Sequence, residues 1–281
     1  MHDRSILVTG CSSGIGRCVA LGLRDRGYRV FATARRHRDL QELKHEGLEA
    51  VQLHLDDPAS VAEAATEVLE ASGGHVYGLV NNGGYGQPGA VEDITWAVLE
   101  EQLRTNLLGW HELTRRLIPG MREHGEGRII QNSSVLGLVA MPYRGAYNCS
   151  KVALEGLSDT LRLELHGSGI HVSLIEPGPI ASRFRDNSLR MFKQHIDIER
   201  SVHRDRYRAM QTRLEHEGPT TAFTLPPEAV LKKVIHALES PRPRPRYAVT
   251  LPTHVFGALR RVLGTRPLDW LLRKASGGGS R

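Results

Sequence analysis

The first 34 residues place four features in a fixed order. An apolar run of strand length, "SILVTG" at 5–10, leads into a glycine-rich turn, "TGCSSGIG" at 9–16. An amphipathic stretch over 14–27 follows and ends at Gly27, and a second apolar run, "YRVFATA" at 28–34, comes at once after it. Strand, tight turn, helix and strand make a βαβ unit, whose two strands lie parallel. The rhythm continues along the chain. Strands are expected at 49–56, 76–82, 127–134 and 170–178, and helices at 38–46, 58–72, about 95–119 and 144–167. The strand-like runs are continuously apolar, as in strands covered on both faces. The fold class is therefore α/β, a doubly wound parallel sheet of Rossmann type.

After Pro179 the pattern changes. Residues 182–225 are a polar insertion, rich in Arg and His and weakly helical. Residues 226–239 read as a helix, 240–246 as a stiff proline-rich connector, and 246–250 as a last strand. One domain is expected over 1–250, with a basic amphipathic extension over 251–281. The charge supports that division. From residue 241 onward nine Lys or Arg face one acid, Asp269, an excess larger than the +6 of the whole chain. Three cysteines, Cys11, Cys18 and Cys149, form no CxxC pair and suit a reducing compartment. With no signal-like h-region and no apolar run of spanning length, the expected location is cytoplasmic.

The glycine loop follows the spacing Gly10, Gly14, Gly16, with Ser12, Ser13 and Ile15 between them. Glycines there permit a tight turn and let backbone N–H groups approach a pyrophosphate at a helix N-terminus. About twenty residues on, where an acid would hold a ribose 2′-hydroxyl, the chain has Arg35 and Arg36. A guanidinium suits a 2′-phosphate, so NADP(H) is the expected cofactor. Asp56, ending the third strand, is placed to meet the adenine.

These motifs, with "NNGG" at 81–84, Asn106, "NSS" at 132–134, "YNCSK" at 147–151 and "PGPIAS" at 177–182, resemble the short-chain dehydrogenase/reductase superfamily in its single-domain branch. The matches are ordered and spaced as in that family over roughly residues 4–240. The family usually has Ala where this chain has Gly83, which suggests looser backbone there. The longer C-terminus, "HGEGRII" and "GIHVSLIEPGPI" look closest to bacterial NADP-dependent aldehyde reductases, a group similar to retinol dehydrogenases and 17β-hydroxysteroid dehydrogenases.

The resemblance implies four catalytic residues. Tyr147 would be the general acid/base, Lys151 its cationic neighbour one helical turn on, and Ser134 a hydrogen-bond donor to the substrate oxygen. Asn106 would hold a water that relays protons, although a helix-interior Asn bonded to nearby backbone accounts for it equally on sequence alone. One cation at ~4 Å in an effective dielectric near 20 supplies about 4 kcal/mol, enough to lower a phenol by two or three pKa units. Asn81 would brace the cofactor side. Asn82, Pro177, Gly178 and Ile180 join the glycine loop, Arg35, Arg36, Asp56, Tyr147 and Lys151 as implied cofactor contacts, with Ser182 where the family often has Thr.

The implied activity is NADPH-dependent reduction of a lipophilic aldehyde or ketone, or the reverse oxidation as in hydroxysteroid and retinol dehydrogenases. A non-catalytic NADP-sensing scaffold is the rival of a different class. A homodimer or homotetramer is implied, through the helices near 95–119 and 144–167. Fourteen histidines show no metal pattern: His195, His203 and His216 read as solvated helix-face residues. Cys149 reads as a small packing residue whose alkylation would obstruct the site. The insertion 182–225 stands where the family builds its substrate lid. The tail 253–274, with Val255, Phe256, Leu259, Trp270 and Leu272 among Arg260, Arg261, Arg266, Arg273 and Lys274, fits either a peripheral membrane contact or a cap on the pocket or an oligomer interface. No motif points to a specific nucleic acid.

Overall fold

The computed structural model describes residues 4–215, 218 and 222–276. Seven strands form one sheet: β1 (Ser5–Val8), β2 (Arg29–Ala34), β3 (Glu49–Gln52), β4 (Gly78–Asn81), β5 (Gly127–Asn132), β6 (Ile170–Glu176) and β7 (Arg246–Ala248). Their order is β3-β2-β1-β4-β5-β6-β7, and every neighbouring pair is parallel. Between the strands run α1 (Gly14–Asp25), α2 (His37–His45), α3 (Pro58–Ala71), α4 (Trp96–Leu103), α5 (Gly109–Glu123), α6 (Gly145–Glu164), α7 (Phe184–His195), α8 (Arg204–Glu215) and α9 (Glu228–Glu239). The chain closes with α10 (Leu251–Val262) and α11 (Thr265–Ala275).

Successive strand residues point to opposite faces, so each strand feeds two cores. Ile6 and Val8 of β1 join Val19 and Leu23 of α1 and Val230, Val234 and Leu238 of α9. Leu7, between them, joins Val61 and Val68 of α3 and Trp110, Leu113 and Leu117 of α5. That double cover is the reason the strand segments are apolar without alternation. The connection direction reverses between β1 and β4, which opens a crevice at the carboxyl ends of those strands.

The helix expected near 95–119 is two helices joined through a π-helical stretch, Arg104–Leu108. The wider turn falls on Asn106, and such π segments recur at functional sites. The polar insertion forms the pair α7–α8 with its own small core, Phe192, Ile196 and Tyr207 against Ala90. The Tyr207 hydroxyl accepts from Ala90 N–H at 2.8 Å and donates to Asp93. The sequence suggested solvated histidines on a helix face, but His195 and His203 are partly buried and bonded. His195 Nδ1 lies 2.8 Å from Gln87 Oε1, and His203 Nε2 lies 2.5 Å from Glu92, so both tie the helical pair to the segment after β4. His216 and residues 277–281 lie outside the described residues.

The tail breaks at Gly264 into the hairpin α10–α11. Phe256, Leu268 and Leu272 pack against Val135, Leu136, Val139 and Tyr147. One face of the segment thus covers the cavity rim, while Val255, Val262 and Trp270 stay exposed on the other. One of the basic residues after 241 also has a structural use. Arg246 of β7 bonds Glu155 and Asp159 of α6 and Glu176 of β6, tying the last strand to the helix that carries Tyr147.

Candidate active site

A cavity of about 1900 Å³ occupies the crevice at the strand ends. Single small-molecule sites measure roughly 300–1,000 Å³, so this one has room for a dinucleotide and a second molecule. Gly10, Ser12, Ser13, Gly14 and Ile15 line one end, with Arg35, Asp56 and Asn82 beside them. Gly10 is in the left-handed region (φ 72°), and a Cβ on it would stand 2.5 Å from the Gly83 backbone. The turn can therefore be made only with glycine. Ser13 caps α1 without a side-chain hydrogen bond, which leaves the first-turn amides of that helix to a ligand. These features fit the diphosphate of a dinucleotide. Gly16 lies beneath the loop, its Cβ position filled by the Gly10 carbonyl.

The two arginines after β2 separate. Arg35 lines the cavity, whereas Arg36 does not and is held by Asp39 at 2.8 and 3.1 Å. The two asparagines after β4 separate as well. Asn81 is fully buried and donates to Thr114 of α5 at 3.0 Å, facing away from the cleft. Asn82 faces it, donates to Thr9 O at 3.0 Å, and accepts from Asn132 Nδ2 at 2.9 Å. Gly83 is not loose. Its N–H donates to Thr9 Oγ1 at 2.9 Å, its carbonyl accepts from Trp110 Nε1 at 2.7 Å, and Leu55 occupies the space a methyl would need.

Tyr147 and Lys151 stand one turn apart on α6, and Ser134 faces them from the end of β5. Ser133 and Ser134 both line the cavity; of the two, Ser134 is the one whose hydroxyl acts on the Tyr147 phenol, and it also accepts from Leu136 N–H at 3.1 Å. Lys151 is 3% exposed. Its Nζ donates to the Asn132 carbonyl at 2.7 Å and lies 4.2 Å from the Trp110 ring centroid and 5.7 Å from that of Tyr147. Burial decides both titrations. It pushes the Tyr147 phenol up to about 12, with Ser134 pulling the other way, although part of the ring opens to the cleft. It pushes Lys151 down to about 7, opposed by the charge of Glu155 one turn on. The simple expectation of an acidified phenol is thus reversed in the protein alone: desolvation outweighs a cation at this separation.

Asn106 is fully buried on the π-helical stretch. Its Oδ1 accepts from Tyr85 N–H at 3.1 Å and its Nδ2 donates to Tyr85 O at 2.8 Å. The side chain is thereby engaged by backbone, yet the residue also lines the cavity. Pro177, Gly178 and Ile180 also line the cavity, and Ser182 approaches Gly14. Phe184 of α7 meets the Tyr147 ring edge-on at 5.4 Å. Cys149 is exposed and does not line the cavity, which corrects its reading as a packing residue. Among the described residues no group of three His, Cys, Asp or Glu could hold a metal. No helix among them is long and apolar enough to cross a membrane.

Sequence reasoning gave no role to Asn132, which joins Asn82 to Lys151; its place in "NSS" was the available signal. It also passed over Arg144 and the arginines of α7 and α8 that line the cleft, for which local sequence holds no signal.

The short chain dehydrogenase family profile matches residues 4–191. An oxidoreductase of Escherichia coli strain K12, YbbO, described as uncharacterized, is 44% identical over 271 residues, covering 96% of this chain and 94% of that protein. The 17-beta-hydroxysteroid dehydrogenase type 6 of Rattus norvegicus is 34% identical over 288 residues, covering 97% of this chain and 88% of that one. Among solved structures, a serine dehydrogenase in its closed form with NADP⁺ superposes with a TM-score of 0.75 at 26% identity, covering 88% of this chain and 94% of the other.

Proposed function

The chain belongs to the short-chain dehydrogenase family and is an oxidoreductase, and we propose that within it the protein is an NADPH-dependent reductase of a lipophilic aldehyde or ketone. The observation that carries this reading is the meeting of Tyr147, Lys151 and Ser134 in one cleft with the glycine loop. The cofactor, when bound, supplies the hydride. Gly10, Ser12, Ser13, Gly14 and Ile15 would hold its diphosphate, Asp56 its adenine, and Pro177, Gly178 and Ile180 its nicotinamide half. Arg35 supports NADP(H) over NAD(H): it is exposed in the cleft with no acid at the end of β2 to repel a phosphate. Arg36 is a secondary contact at most, given its pairing with Asp39.

In reduction, Ser134 would hold the substrate oxygen while Tyr147 donates its phenolic proton to that oxygen and the carbonyl carbon accepts the hydride. The product is the alcohol, and the phenolate left on Tyr147 is reprotonated from solvent. A phenol kept protonated by burial suits the donor role. Lys151, held by Asn132, would stabilise the phenolate and pass a proton inward from water on the Asn106 side. Alcohol oxidation, as in a hydroxysteroid or retinol dehydrogenase, is the second reading. It is favoured by the likeness to the 17-beta-hydroxysteroid enzyme and by the size of the cavity.

We also infer self-association across the π-helical stretch that leads into α5 and across α6, where Leu108 on the first and Val152, Leu157 and Leu163 on the second are exposed, in a cytoplasmic protein whose three cysteines are free. A monomer in sedimentation equilibrium at working concentration contradicts that. The test of function is NADPH and NADH oxidation with medium-chain aldehydes, retinal and steroid ketones. The expected outcome is turnover with NADPH that falls roughly 10³-fold in Tyr147→Phe. NADPH binding without turnover of any panel member, in either direction, favours a cofactor sensor instead.

A further inference from the structure

The part of the cleft built on the start of α6 and on α7 and α8 carries cations without ion-pair partners. Arg144, Arg183, Arg190, Arg206 and Arg213 line the cavity, and none of them makes an ion pair among the described residues. On α7 and α8 the only lining acid among the described residues is Asp205. Several arginines elsewhere on the surface are paired. Arg26 meets Glu239, Arg29 meets Glu49, and Arg208, on α8 itself but outside the cleft, meets Glu199.

Within this set Arg144 and Arg213 form a distinct site. Arg144 precedes α6, so it stands one turn from Tyr147. Its guanidinium donates to the Tyr143 carbonyl at 3.0 Å and reaches Met210 Sδ on α8 at 3.3 Å. Met210 and Arg213, three apart on α8, share a helix face. Tyr143 is the one non-glycine residue with positive φ among the described residues, at 61°. Its carbonyl also accepts from Gly89 N–H at 3.1 Å, which fixes the turn that aims Arg144 inward. Burial and the charge of Arg213 together push Arg144 down to about 10. Two like charges held near each other in a partly desolvated wall are unfavourable until an anion enters between them.

We propose that Arg144 and Arg213 bind the anionic head, a carboxylate or a phosphate, of a substrate whose carbonyl meets Tyr147. The inference rests on the reductase reading above and narrows its substrate class to amphipathic oxo-compounds: an apolar body against Phe184, Met210 and Phe256, with an acidic group at one end. The phosphates of the dinucleotide are not the target. Their site is at the glycine loop, where Arg183 is the neighbouring arginine, whereas Arg144 is held by the segment after β4 and by α8.

The experiment uses three aldehydes of equal length ending in a carboxylate, a phosphate or a methyl ester, with NADPH and the full-length protein. Wild type is expected to favour one of the two acids over the ester by roughly tenfold or more in kcat/KM, and the better acid names the source of the anion. In Arg213→Gln, on the exposed side of α8, that ratio falls about tenfold, mainly through KM, and in Arg213→Glu the ester becomes the better substrate. The NADPH dissociation constant stays within about twofold in both variants. Reduction of the ester with no preference for either acid overturns this inference and leaves the reductase reading standing. An unchanged ratio in Arg213→Gln overturns it too, as does an NADPH affinity that falls in step with the ratio. Reduction of none of the three overturns the reductase reading and this inference with it.

Discussion

The two walls of the cleft are made of different material. Around the glycine loop the surface is largely backbone: Gly10 against Gly83, uncapped amides at the start of α1, and Thr9 and Asn82 bonded to main chain. Across from it the surface is side chains on helices, Phe184 of α7, Met210 and Arg213 of α8 and Phe256 of α10. A backbone wall can be read only by a ligand with one fixed shape, such as a dinucleotide. A side-chain wall can change with each substitution while its helices stay in place. On the function proposed above, the contrast gives cofactor recognition to one wall and substrate choice to the other, with Lys151 reaching from α6 to the Asn132 carbonyl between them.

Replacing that bridge tests the contrast most severely. Lys151→Met is expected to lower kcat roughly 10³-fold and, at neutral pH, to raise the melting temperature of the cofactor-free protein, because a buried ammonium opposes folding. The native lysine gives up its proton from about pH 7 upward, while the unfolded one keeps it to a much higher pH. Over that window the unfolded state holds more protons, so wild-type stability rises with pH. The stability advantage of Lys151→Met should therefore shrink from pH 6 to pH 9 in urea titrations. An advantage that is constant with pH contradicts the depressed lysine. Tyr147 acts in the opposite sense only above about pH 10, where the unfolded phenol ionises first.

On the backbone wall, Gly10→Ala forces a methyl against the Gly83 main chain from a left-handed φ. The expected outcome is a loss of about 2–3 kcal/mol in stability and a weakening of NADPH binding by roughly tenfold or more in fluorescence titration. Phe184→Ala, on the other wall, should change KM for the carbonyl substrate and leave NADPH affinity nearly as it was. Equal effects of the two variants on cofactor binding dissolve the division of labour. A smaller change is expected from Arg35→Ser, which should cut the preference for NADPH over NADH about tenfold, while Arg36→Ser, already paired to Asp39, moves it little. Alkylation of the exposed Cys149 is expected to leave turnover unchanged, and inactivation would return that thiol to the site.

Legibility followed the same division. The glycine loop, Ser134, Tyr147 and Lys151 could be read because each depends on short spacing: a turn of a few residues, a strand end, one helical turn. Which asparagine faces the cleft could not, since Asn81 and Asn82 are adjacent on a strand and only the packing of Thr114 distinguishes them. His195 and His203 were misread as surface residues because their partners, Gln87 and Glu92, are 108 and 111 positions away. The tail could not be assigned from its amphipathic pattern, which is the same whether Leu272 meets a lipid or Val139.

The order of strands and helices, the parallel sheet, the glycine-rich turn and the Tyr147–Lys151 pair were set by the sequence itself, because local periodicity and glycine spacing act within a few residues. The tertiary structure alone decided the direction of the Tyr147 and Lys151 titrations, which of Arg35 and Arg36 lines the cleft, and the gathering of Arg144, Arg190, Arg206 and Arg213 along it. Burial and electrostatic fields are sums over neighbours in space, and around this cleft those neighbours come from β1, α6, α8 and α10, which are far apart in the chain.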